Sequence, residues 1–140
     1  MKQLLAFALL LAPVPAAATV SVETANGDWS KLPALQHRGY DHLSTRMMQK
    51  LFEISSEGKC VLPGRYGGVK SELNLSLSFA AHFEPDGTLT RVILPKLNCP
   101  EGEGVIGGAL LEMMKGGDYR PTGKNLDGWY RGEFSFSYVD

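Results

Sequence analysis

The stretch LNLSLSFAAHFEPDGTLTRVIL, residues 73–94, decides the fold. Leu73, Leu75, Leu77, Phe79, Ala81 and Phe83 alternate with Asn74, Ser76, Ser78, Ala80 and His82. A period of two sustained over that length is a long strand with one buried face. Glu84-Pro85-Asp86-Gly87 follows as a turn, proline fixing one torsion and glycine accepting a positive one. Thr88 to Leu94 is the β-rich return strand, so the stretch is a β-hairpin. Asp86 then belongs to the turn rather than to acid catalysis, and His82 to the solvated polar face.

Working outward, the period changes to that of a helix on both sides. On the N-terminal side Asp41 is a good N-cap, and Leu43, Met47, Leu51 and Ile54 follow at spacings of four, four and three. Gly58 sits where the stop belongs. On the C-terminal side Val105, Ile106, Ala109, Leu110, Met113 and Met114 form a second amphipathic helix ended by Gly116-Gly117. Glycines 104, 107 and 108 weaken its start and allow close packing on a sheet. Asp118 to Asp127 is a connector. GWYRGEFSFSYV (128–139) is a final strand with Tyr130, Gly132, Phe134, Phe136 and Tyr138 on one face. Helix, strand, strand, helix, strand packs as an α+β domain over residues 41–140: a three-stranded antiparallel sheet covered by two helices. Residues 19–40 form an irregular lead-in with Trp29, Leu32 and Leu35 as packing anchors. Within it Thr19 to Val22 alternates only enough for a short edge strand. VLPGRYGG (61–68) lacks the Gly-Lys-Ser/Thr of a phosphate cradle and precedes a strand, so it is a flexible loop.

Residues 1–18, MKQLLAFALLLAPVPAAA, read as a cleaved secretory signal. Lys2 gives the positive start, Leu4 to Ala12 the apolar run, and Ala16 to Ala18 the small-residue cleavage site. The run is shorter than the roughly 20 residues a membrane span needs. The rival is an uncleaved anchor. The chain is therefore expected in the periplasm or outside the cell, with no membrane span after cleavage. In that oxidising setting Cys60 and Cys99 favour a disulfide over two free thiols. A metal site would need more ligands, and His37, His42 and His82 show no ligand spacing. With a net charge of −1 over 140 residues, the chain has no basic surplus for nucleic acid.

The order of elements resembles the C-terminal domains of the TonB and TolA family of periplasmic proteins. The residues that carry the resemblance are LSFAAHFEPDGTLTRVIL (77–94), ALLEMMKGGDYRP (109–121) and the aromatic strand to Tyr138. The membrane helix and long linker of that family have no counterpart here. The resemblance implies a binding mode in which a partner's extended segment is added to a sheet edge.

No G-x-S-x-G, H-E-x-x-H or S-x-x-K is present, and Glu101 and Glu103, two apart on a helix, do not face each other. The expectation is a non-catalytic, cofactor-free module that pairs an envelope protein or peptide segment along its last strand. Trp129, Arg131, Glu133 and Ser135 are its contact residues, and Ser135→Pro removes one edge donor. A small exported ligand-binding domain and an unrecognised enzyme are the alternatives. An unpaired edge would equally serve a homodimer.

Overall fold

The computed structural model describes residues 19–39, 41, 43–58, 60, 62, 72–123 and 126–139. Residues 1–18, read above as a leader, and residues 61–68 apart from Leu62, read above as a loop, lie outside the described residues. So do His42 and the side chains of Leu73, Phe136 and Tyr138.

In chain order the elements are β1 (Ser21–Thr24), β2 (Gln36–His37), α1 (Thr45–Ser56), β3 (Glu72–Phe83), β4 (Leu89–Leu94), α2 (Pro100–Lys115), β5 (Tyr119–Arg120) and β6 (Gly128–Val139). The α+β class, both helices, the hairpin and the last strand match the sequence reading. The sheet does not stop at three antiparallel strands. Among the described residues it has four, in the order β1-β4-β3-β6, and β1 runs parallel to β4 with Val22 opposite Val92 and Thr24 opposite Leu94. The lead-in is thus not wholly irregular, and neither is the 118–127 connector, because β2 and β5 pair as a separate two-stranded ribbon. The ribbon was invisible to periodicity and β1 showed only as the weak alternation at Thr19 to Val22, for one reason. A two-residue ribbon and a four-residue strand exposed throughout carry no alternation between buried and exposed positions.

The core lies on the helix side of the sheet. Leu75, Leu77, Phe79 and Phe83 of β3, Val92 and Leu94 of β4, and Tyr130 and Phe134 of β6 meet Leu51 and Ile54 of α1 and Ile106, Leu110 and Met113 of α2. Ser44, not Asp41, caps α1: its hydroxyl accepts the Met47 N–H at 3.2 Å. Leu43 lies just outside the helix and is nonetheless buried, which lengthened the apolar stripe and moved the apparent start forward. Gly58 follows the C-cap with φ +66°, as a helix stop requires. Helix α2 begins with Pro100 at its first position and carries Glu101 and Glu103 in its first turn, where the helix dipole favours negative charge. Its Gly107 is packed against β1, since a Cβ there would come 2.9 Å from Val22 Cγ1. Cys60 and Cys99 form a disulfide, with Cα atoms 5.4 Å apart. It ties the chain just beyond α1 to the N-cap of α2, two helices that also pack on each other.

Candidate functional site

Between β1 and β2 the chain crosses the outer face of the sheet, the face on which no helix lies among the described residues. It leaves β1 at one edge, where the Ala25 N–H reaches the Leu94 carbonyl at 2.9 Å. It arrives at the opposite edge, where Arg131 of β6 donates its N–H to Pro33 O (2.9 Å) and accepts from Leu35 N–H (2.8 Å). Local bonds shape this strap: Asp28 Oδ1 accepts the Ser30 N–H at 2.9 Å, and Leu32 N–H bonds Trp29 O at 3.0 Å. The Ser30 hydroxyl and N–H hold the Asp28 carboxyl below its ordinary pKa.

The four residues assigned to partner contact all carry their side chains on this outer face, and their edge is largely taken by the chain itself. Trp129 packs beside His82, with ring centroids 5.0 Å apart, and the Arg91 guanidinium lies 5.1 Å above its ring. Arg91 in turn holds Glu23 of β1 through two bonds of 2.9 and 3.2 Å, which keep the Glu23 carboxyl charged to lower pH than usual. Arg131 is bonded to the strap as described, and its Nε also donates to Leu32 O at 3.0 Å. Glu133 accepts the Ser78 hydroxyl at 2.8 Å, and its carbonyl oxygen lies 2.9 Å from the Tyr119 hydroxyl, whose single proton it shares with Asp41. The Ser135 N–H is donated to Asp41 Oδ2 at 2.7 Å. A partner strand at Arg131, Glu133 and Ser135 would first have to displace these bonds, and Ser135→Pro would break an internal bond before it tested any partner.

Asp41 is the centre of that edge. Its side chain is only 4% exposed; Oδ1 accepts from the Tyr119 hydroxyl and lies 3.0 Å from His37 Nε2, while Oδ2 takes the Ser135 N–H. The His37 ring stacks flat on Tyr119, centroids 4.3 Å apart. Burial first, and the Asp41 carboxylate second, push the Tyr119 phenol well above its ordinary value of about 10. Folding therefore favours the neutral phenol. Its contribution to stability is whole below about pH 10 and is lost as the pH climbs above that. Tyr119→Phe should flatten the fall in stability between about pH 10 and 12, read as the difference in urea midpoint across that window. An identical fall in both proteins would remove Tyr119 from the account.

Among the described residues, the edge left without a neighbouring strand is at the other side of the sheet. Because Ala25 bonds β4, Ser21 and Glu23 turn their peptide groups the same way, and Val22 and Thr24 turn theirs outward. No strand among the described residues lies beyond β1. Beside it runs a groove of about 410 Å³ between β1 and α2, lined by Val22, Thr24, Leu94, Gly104, Gly108 and Leu111 among others. The sequence signal for this edge was the weak alternation at Thr19 to Val22. Nothing in the spacing of Asp41, His37 and Tyr119 announced their network.

Among the described residues no three His, Cys, Asp or Glu stand close enough to hold a metal ion, and no helix is long and apolar enough to cross a membrane. Comparison with protein-family models, curated proteins and solved structures finds no match.

Proposed function

We propose that the chain is an exported, non-catalytic binding module that adds an extended segment of an envelope protein to its sheet, and that β1 is the accepting edge. The outward peptide groups of Val22 and Thr24 beside the apolar groove carry this reading. Backbone bonds along an added strand supply affinity, and alternate side chains dropping into the groove supply selectivity. The glycines fit that use: a Cβ on Gly104 or Gly108 would meet nothing within 4 Å, so the α2 wall is recessed there. The partner segment then alternates small apolar residues toward α2 with polar residues toward the outer face. The leader-like residues 1–18, the disulfide and the resemblance to TonB and TolA C-terminal domains support an envelope setting.

Thr24→Pro tests the edge, because it deletes one outward N–H at a position whose side chain is exposed, and proline is tolerated on edge strands. A partner isolated from an envelope extract with the oxidised wild-type chain should bind Thr24→Pro about ten-fold more weakly, the worth of roughly one hydrogen bond. Equal affinity would rule out β1.

A further inference from the structure

The strap does not lie flat on the sheet. Beneath it is a second cleft, of about 610 Å³, with Asp28 and Trp29 on the strap side and Ser76, Ser78, Arg131 and Glu133 on the sheet side. That volume is in the range of small-molecule sites. It is separate from the β1 groove, with which it shares no lining residue.

The lining chemistry narrows what could occupy it. Two carboxylates against one guanidinium disfavour an anion. Six polar or charged side chains disfavour a wholly apolar ligand, counting Ser30 with the five named above. Both carboxylates already accept bonds from the protein, Asp28 from Ser30 and Glu133 from Ser78, so they act as placed acceptors as much as bare charges. Ser30, Ser76 and Ser78 add hydroxyls that can both donate and accept. Trp29 adds a flat apolar surface with a polar edge. The indole is set close against the backbone at Gly27, where a Cβ would come 3.1 Å from its Nε1. A ring with hydroxyls around its rim and C–H bonds on its face satisfies all of these groups at once.

We infer that the cleft between the strap and the outer sheet face binds a neutral saccharide, with Trp29 under a pyranose ring and Ser76, Ser78, Asp28 and Glu133 on its hydroxyls. The test is calorimetric titration of the oxidised chain with chitotriose, cellotriose and maltotriose, with spermidine and inorganic phosphate as the competing chemistries. At least one trisaccharide should bind. Trp29→Ala should weaken it about ten-fold, the scale of a lost aromatic contact. Ser76→Val changes one exposed hydroxyl on a strand that suits valine, and should weaken it about three-fold or more while the circular dichroism spectrum stays unchanged. Thr24→Pro should leave it unaltered, which keeps this site distinct from the β1 edge. The proposal is overturned if no trisaccharide binds at about 5 mM, well above the weakest affinity of interest. It is equally overturned if spermidine or phosphate binds more tightly than every sugar, or if neither Trp29→Ala nor Ser76→Val changes the affinity.

Discussion

Gly132→Ala is expected to cost about 3 kcal/mol or more, a large share of the roughly 5–15 kcal/mol that holds a domain of this size. Gly132 stands opposite Phe79 across the β3–β6 ladder. A Cβ at Gly132 would lie 2.3 Å from Phe79 Cζ and 2.6 Å from Cε1, far inside any real carbon contact. The ring cannot step aside cheaply. It is fully buried and meets Tyr119 edge-on, centroids 5.2 Å apart. Nor can the strand slip by one residue, since that would turn Tyr130 and Phe134 out of the core and Arg131 and Glu133 into it. The overlap is a matter of ring atoms, so it has a compensating change. Phe79→Leu alone should lose about 1–3 kcal/mol by leaving a cavity. Combined with Gly132→Ala it should lose less than the sum, with a coupling of about 1 kcal/mol or more in a double-mutant cycle from urea unfolding. Strict additivity would mean that the two residues do not touch.

The same pair shows what the sequence could and could not disclose. Alternation placed Phe79 and Gly132 on the core side of their strands, because a sheet with one buried face imposes a period of two. It could not place them opposite each other, since register between strands 45 or more residues apart is a property of packing. The hairpin, both helices and β6 were legible for the same reason, each burying one regular face. β1 was nearly illegible because it is exposed along its length and is held by backbone pairing to β4 and by Val22 against Gly107. The strap was legible only in its anchor Leu35, which is buried in the core; its course was not. Its course is fixed by backbone bonds to Arg131 and an Asx-type turn at Asp28, neither of which needs a periodic pattern. That omission reached the candidate site. Read without the strap, β6 is a bare edge lined by Arg131, Glu133 and Ser135. With the strap in place, the backbone bonding at these residues joins parts of one chain, and the side chains of Arg131 and Glu133 line a cleft.

Asp41→Ala should cost about 3 kcal/mol, although a short polar residue ahead of a helix ordinarily matters only as a cap. Asp41 is not the cap. Its two oxygens serve three donors from three separate parts of the chain: His37 of β2, Tyr119 of β5 and the Ser135 amide of β6. Removing the carboxylate leaves the Ser135 N–H and the His37 Nε2 without their acceptor, while His37 keeps its stack on Tyr119 and the Tyr119 hydroxyl keeps the Glu133 carbonyl at 2.9 Å. The substitution that isolates the chemistry is Asp41→Asn, which keeps the shape but offers one acceptor oxygen in place of two and turns a pair of N–H donors toward donors. It should lose about 2 kcal/mol. A cap or a space-filler would tolerate asparagine almost without loss. The readout that separates a clamp from general destabilisation is local. In Asp41→Asn, amide exchange at Arg131 and Leu35, which close the strap onto β6, should quicken more than exchange at Val92 in the centre of the sheet. Uniform quickening would show that Asp41 supports the whole fold equally. Selective quickening would show that it sets whether the β6 edge is held by its own chain or opened to another.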